Sequence, residues 1–227
     1  MSAAGAEPVT IDLDERTSVS GLLRLPSTAH ACLVLAHGAG AGMRHAFLET
    51  IATELERLEV ATLRYQFPYV ERKSRRPDPP ELCHATVRAA VAAAAVAAPG
   101  LALFAGGKSF GGRMTSQAQA RSPLSGVRGL AFLGFPLHPA GKPSTTRAEH
   151  LVDVSVPMLF LQGTRDELAD LALVETVTAG LGDLATVRIF DQADHSFHVP
   201  ARSGRTDREV IAEMTVTIRE WMDDRIT

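Results

Sequence analysis

Cysteine is scarce. Cys32 and Cys83 are the only two in 227 residues. Cys32 lies in an apolar run and Cys83 in a helical stretch, so no disulfide framework is indicated, and a reducing, cytoplasmic setting is expected. Neither sign of charge is in excess: a formal net charge of −3 argues against a dedicated nucleic-acid binder. No apolar run is long enough to cross a bilayer. The Ala-rich stretch from Ala85 to Pro99 comes nearest, but it is short and is interrupted by Arg88. Met1 to Pro8 has neither basic residues nor an apolar core, so no secretory signal and no membrane attachment are expected. At 45% hydrophobic and 22% charged, the composition fits neither a disordered nor a fibrous chain.

Several site signatures are also missing. There is no H-E-x-x-H, and His195 with His198 alone does not make a zinc site, so no metal is expected. Gly107-Lys108-Ser109 resembles the end of a P-loop, but Ala102 stands where its first glycine belongs, inside a strand. Gly38-x-Gly40 fails as a dinucleotide fingerprint because Met43 occupies the third position and the next strand runs into Arg64-Tyr65 instead of a carboxylate.

What remains is a regular alternation. Apolar runs at Val9–Leu13, Gly21–Leu25, Ala31–Ala36, Val60–Tyr65, Leu101–Ala105, Val127–Leu133, Pro157–Leu161 and Ala185–Phe190 predict strands, the first two as an antiparallel pair. Helical spacing predicts helices over Arg44–Leu58, Ala85–Ala98, Phe110–Arg121, Leu168–Gly180 and Arg208–Met222. Continuous apolar strands between helices mean an α/β protein, one domain over residues 1–227, with a mostly parallel sheet covered on both faces. Gln66–Pro80 and Pro136–Thr146 read as irregular loops, neither long enough for a large cap domain. Chemistry on such a sheet belongs beyond the carboxyl ends of the strands.

Gly107-Lys108-Ser109-Phe110-Gly111 follows an apolar strand, opens a helix and matches G-x-S-x-G. By chance this pattern arises in roughly one chain in ten of this length, so its weight lies in that setting. A serine there sits on a sharp turn at a helix N-terminus, where free N–H groups favour developing negative charge. Its hydroxyl needs a base. Among eight histidines only His195 and His198 follow the last predicted strand; His195, with Phe197 to pin its loop, is the candidate and His198 the second choice. An acid is expected between serine and histidine. Asp166 follows the strand end, with Glu167 and Asp170 as competitors; capping the next helix is the alternative role for Asp166. For the oxyanion, the Phe110 N–H pairs with one from the loop after the third strand. Ala39 is the candidate, with Gly38 or Gly40 as alternatives, and His37 is expected to shape that loop.

Together His37 to Gly40, Gly106 to Arg113, Gly163 to Asp166 and Asp194 to Phe197 resemble the small, lid-less α/β-hydrolases related to dienelactone hydrolase, over about residues 10 to 223. The resemblance implies an eight-stranded sheet, an esterase-type mechanism through Ser109, Asp166 and His195, and no cofactor. Dienelactone hydrolase itself has a cysteine where this chain has Ser109. The segment from Arg64 to Tyr69, with the Arg- and Pro-rich loop after it, resembles a branch that includes subunits of chromatin complexes. The expected function is cleavage of a small acyl ester or thioester. A peptidase or acyltransferase using the same groups, and a non-catalytic binding module, are the alternatives. Tyr65, Phe67 and Tyr69 are expected to line a substrate pocket with Gly38, Gly40 and Lys108, while Lys73, Arg75 and Arg76 attract an anion or form a solvated loop.

Overall fold

A computed structural model describes residues 5–226. Strands β3 (Ala31–Ala36), β4 (Val60–Tyr65), β5 (Ala102–Lys108) and β6 (Val127–Leu133) carry the near-continuous apolar runs, and they are buried on both faces. Together with β1 (Glu7–Asp12), β2 (Ser18–Arg24), β7 (Met158–Arg165) and β8 (Ala185–Asp194) they form one eight-stranded sheet in the order β1-β2-β4-β3-β5-β6-β7-β8. β1 and β2 pair antiparallel, β2 meets β4 antiparallel, and every pairing from β4 to β8 is parallel.

Helices cover both faces. Helix α1 (Ala46–Arg57) and helix α6 (Asp207–Asp223) bury Leu48, Ile51, Leu55, Val210, Met214 and Trp221 on one side. Helices α3 (Pro80–Ala97), α4 (Phe110–Arg121) and α5 (Leu171–Leu181) bury Val87, Ala90, Met114 and Val174 on the other. The chain runs from β3 out to β4 on one side and then back across to β5 on the other. That reversal leaves the loops after β3 and β5 side by side, with Ala36 in register with Gly107. A crevice at such a switch point is where ligands bind on parallel sheets.

Several boundaries differ from the sequence expectation, and two short elements were not expected. Helix α3 begins at Pro80 rather than Ala85, because proline fits the first helical turn, where no N–H partner is needed. The stretch before it contains the short helix α2 (Pro68–Glu71). A 3₁₀ segment, Thr146–Asp153, was not expected and packs on α4. Strands β7 and β8 run on past Leu161 and Phe190 to Arg165 and Asp194, carrying the residues that follow them out to one level. Cys32 and Cys83 are free and buried, and burial pushes both thiols up to about 12. Among the described residues no helix is long and apolar enough to cross a membrane, and no group of three or more His, Cys, Asp or Glu is placed to hold a metal ion.

Candidate active site

Ser109 joins β5 to α4 with φ 50° and ψ −115°, a backbone state that costs a residue with a side chain on the order of 1–3 kcal/mol. The turn is this tight because the end of β3 presses against it. A Cβ on Gly107 would stand 2.5 Å from the Ala36 carbonyl oxygen, and one on Gly111 would stand 2.6 Å from that of His37. Both flanking glycines are therefore steric requirements. The Ser109 N–H donates to the Leu133 carbonyl at 3.2 Å, fixing the turn to β6.

The structure brings Ser109, His195 and Asp166 into one hydrogen-bonded relay. His195 Nε2 lies 2.8 Å from Ser109 Oγ, and its Nδ1 lies 2.7 Å from Asp166 Oδ2. An ionised carboxylate only accepts, so Nδ1 carries the proton and Nε2 is left to accept from the serine hydroxyl. Asp166 is held from two further directions: Gln162 Nε2 donates to Oδ2 at 2.5 Å and the Leu168 N–H to Oδ1 at 2.8 Å. The His195 side chain is 24% exposed and that of Asp166 is 1% exposed, so the relay opens to solvent at the histidine end. The histidine loop is built by Asp194, whose carboxylate accepts from the N–H groups of Ser196 and His198 at 2.7 and 3.0 Å. Phe197 anchors it, buried between Phe47 and Phe190 with centroid distances of 5.9 and 5.7 Å.

The competing residues lie elsewhere. His198 is exposed and bonds Asp207 at 2.9 Å. Glu167 is exposed. Asp170 caps α5 by accepting from the Leu173 N–H at 3.1 Å, so the helix cap falls to Asp170 and not to Asp166.

His37 is buried in the loop after β3. Its Nε2 accepts from the Phe67 N–H at 3.1 Å, so its Nδ1 donates to the Gly38 carbonyl at 2.8 Å. That pattern needs the neutral ring, and burial lowers the pKa of His37 accordingly. Peptide planarity makes a fixed carbonyl fix the N–H on the other side of the bond, which belongs to Ala39. The N–H groups of Ala39 and of Phe110, the first residue of α4, donate to no protein acceptor among the described residues.

A cleft of about 350 Å³ opens over Ser109, lined by Gly38, Ala39, Lys108 and His195 and walled by Phe47 and Leu48 of α1 and by Leu168. Four expected lining residues lie elsewhere. Tyr65 and Phe67 are fully buried in the core and do not reach the cleft, and Tyr69 is buried too. Phe67 packs edge-on against His37 at 5.0 Å and Phe110 at 5.5 Å, so it supports the loop after β3. Gly40 sits at an exposed turn with φ +72°, outside the lining. Lys73, Arg75 and Arg76 are exposed and lie outside it as well. Sequence reasoning gave no role to Gln162, Phe47, Leu48 or Leu168. A buried amide inside an apolar strand was the available signal for Gln162. The wall residues look like ordinary helix core.

A nucleophile-elbow serine at the switch point of a lid-less, mostly parallel eight-stranded sheet, bonded to a late histidine, defines the α/β-hydrolase class. Residues 29–223 match the family described as "Alpha/beta hydrolase domain", and the chain belongs to that family. Among solved structures it is similar to a dienelactone hydrolase from Anabaena variabilis, at TM-score 0.80 and 19% identity, covering 100% of both chains. It is similar to an α/β serine hydrolase without lid from Xanthomonas campestris, at TM-score 0.75 and 21% identity, covering 96% of this chain and 95% of that one. A serine hydrolase homologue from Coxiella burnetii superposes at TM-score 0.71 and 17% identity, covering 94% of this chain and 99% of that one. At these identities the likeness is one of fold. Family and fold together support a hydrolytic enzyme.

Proposed function

We propose that the protein is a serine hydrolase that cleaves a small acyl ester or thioester through an acyl-enzyme. The relay from Ser109 through His195 to Asp166, with links of 2.8 and 2.7 Å at the floor of the cleft, carries this reading. His195 Nε2 takes the hydroxyl proton as Ser109 Oγ bonds to the substrate carbonyl carbon. The carbonyl electron pair moves onto oxygen, and the N–H groups of Phe110 and Ala39 receive that oxyanion; each such donor is worth about 3–4 kcal/mol. As the oxyanion collapses, the bond to the leaving alcohol or thiol breaks and His195 returns the proton to it. Water, deprotonated by the same imidazole, then resolves the acyl-enzyme. Asp166 stays ionised and stabilises the imidazolium. A cleft of about 350 Å³ with apolar walls suits a short acyl group and leaves little room for a polymer. His37 acts on the chemistry only by fixing the loop that presents Ala39.

The first test is a fluorophosphonate incubation followed by intact mass, with Ser109→Ala alongside. One adduct per chain, absent in the variant, is expected. A panel of short-chain esters, thioesters and peptides then fixes the substrate class, and Ser109→Ala should lower turnover at least about a thousandfold. A folded protein that takes up no label would overturn the proposal in favour of a binding module.

A further inference from the structure

The cleft contains one ammonium that the proposed reaction does not use. Lys108 ends β5 and immediately precedes Ser109. Its Nζ donates to the backbone carbonyl oxygen of His195 at 2.6 Å and stands 5.7 Å from the ring centroid of Phe197. A Cβ built on Gly134 would come within 3.1 Å of Nζ and 3.4 Å of His195 Nδ1, so the ammonium and the imidazole share the space that this glycine leaves free. Nζ makes no salt bridge among the described residues; Asp166, from the loop after β7, and Asp194, from β8, act on it only through space. Ser109, His195 and Ser196, with His45 at the N-terminus of α1, are the other polar residues lining the same cleft.

Burying a cation with no ion pair is costly, and an apolar chain of similar length would fill the same volume without that cost. What the ammonium adds is a charge-assisted bond to the main chain of the residue that bears the imidazole. In the sheet, β5 and β8 are separated by β6 and β7. Lys108 bridges that gap directly, from the residue before the nucleophile to His195.

We infer that Lys108 is a positioning residue whose ammonium, bonded to the His195 carbonyl, holds the imidazole against the Ser109 hydroxyl, so that activity requires the charged form of the lysine. The inference rests on the serine-hydrolase reading and deepens it. Lys108 lines the cleft, as expected from sequence, and the bond from Nζ to the His195 carbonyl gives its ammonium a role apart from substrate contact. Burial pulls this lysine down to about 8, while Asp166 and Asp194 pull the other way. Above that pH the neutral amine is a weaker donor and the tie slackens.

The test is the rate of fluorophosphonate labelling across neutral and alkaline pH for the wild type and Lys108→Met, with ester kinetics and thermal unfolding of each. The wild-type rate should fall above pH about 8. Lys108→Met should label at least about tenfold more slowly at neutral pH, with KM near wild type and the alkaline fall gone. A variant that labels at the wild-type rate, or keeps the alkaline fall, would overturn the inference. So would a raised KM at unchanged kcat, which would assign the ammonium to substrate. If Lys108→Met does not fold, the wild-type profile decides alone, and a rate that is flat through pH 8 rejects the tie. A wild type that labels but fails these tests removes only the role of Lys108. A wild type that never labels removes the hydrolase reading, and this inference with it.

Discussion

Gln162 shows how much a single neutral side chain can carry. It is fully buried in β7, its Nε2 donates to Asp166 Oδ2 at 2.5 Å, and its Oε1 accepts from the Phe135 N–H at 3.1 Å. The same Asp166 oxygen receives the His195 ring proton. Replacing Gln162 with leucine removes one donor from a buried carboxylate and orphans the Phe135 N–H. Each change costs about 1–3 kcal/mol where no water replaces the lost partner. The carboxylate is then free to swing, and a small displacement of an orienting group costs up to about a hundredfold in rate. Gln162→Leu is therefore expected to lower kcat tenfold to about a hundredfold with KM little changed, and to lower the urea midpoint. Unchanged kcat in a destabilised variant would mean that Leu168 and His195 suffice to hold Asp166. Ser109 was legible in the sequence because its constraint is steric and leaves glycines at fixed spacing. Gln162 was not, because a hydrogen bond to a residue four places away leaves no pattern in composition or period.

At the level of elements, α1 is attached to the sheet by charge as well as by its apolar face. Arg64 of β4 is 0% exposed, and its Nη1 bonds Glu49 Oε2 at 2.5 Å and the Met43 carbonyl at 3.0 Å. The other Glu49 oxygen takes Arg24 of β2 at 2.6 Å, and Arg24 also holds Glu56 at 2.6 Å. Glu49, in the first turn of α1, thus ties the helix to two strands and holds the Phe47–Leu48 wall of the cleft in place. Glu49→Ala leaves Arg64 buried without its carboxylate. Breaking such a pair costs roughly 3–5 kcal/mol when both ions are buried. Glu49 is 42% exposed, so a loss at or below the lower end, about 2–3 kcal/mol, is expected. Chemical denaturation should show a lower midpoint with an unchanged slope. The eight strands along the chain, the first two as an antiparallel pair, were readable from apolar runs, as were the five longer helices; the order of the strands within the sheet was not. The ends were less so, since Pro80 reads as a breaker yet opens α3, and polar Gln162 and Asp191 read as loop yet extend β7 and β8.

For the molecule as a whole, the three groups of the relay were found from chain order because the fold dictates that order. The cleft wall was not, because which side chains face it depends on how α1 and the loop after β7 sit, and that is settled by packing across the sheet. The same packing buries histidines far apart in the sequence, and this sets how the protein responds to acid. Burial lowers His37 and His84, and it pulls His150 down to about 4 with Arg113 and His84 adding to the effect. His150 Nε2 lies 2.7 Å from Ser116 Oγ, whose own proton goes to the Arg113 carbonyl, so Nε2 is the donor; it is burial and the nearby Arg113 charge that favour the neutral ring. The unfolded chain takes up these protons as pH falls through about 6.5, and the folded chain does so only nearer 4 for His150. Between those values the unfolded state binds more protons, so stability must fall as pH falls. His198, raised by Asp207, works in the opposite sense, but it is fully exposed and solvent screens it. The lowered carboxylates Glu49 and Glu213 act only at lower pH, through the carboxylate range. Tm is therefore expected to decline already between pH 6.5 and 5, before the carboxylates titrate. His150→Gln, which keeps a donor near Ser116 but cannot take up a proton, should flatten that decline. A wild-type Tm that stays level down to pH 5 would show that these rings acquire protons without cost, by opening the contact between the 3₁₀ segment and α4.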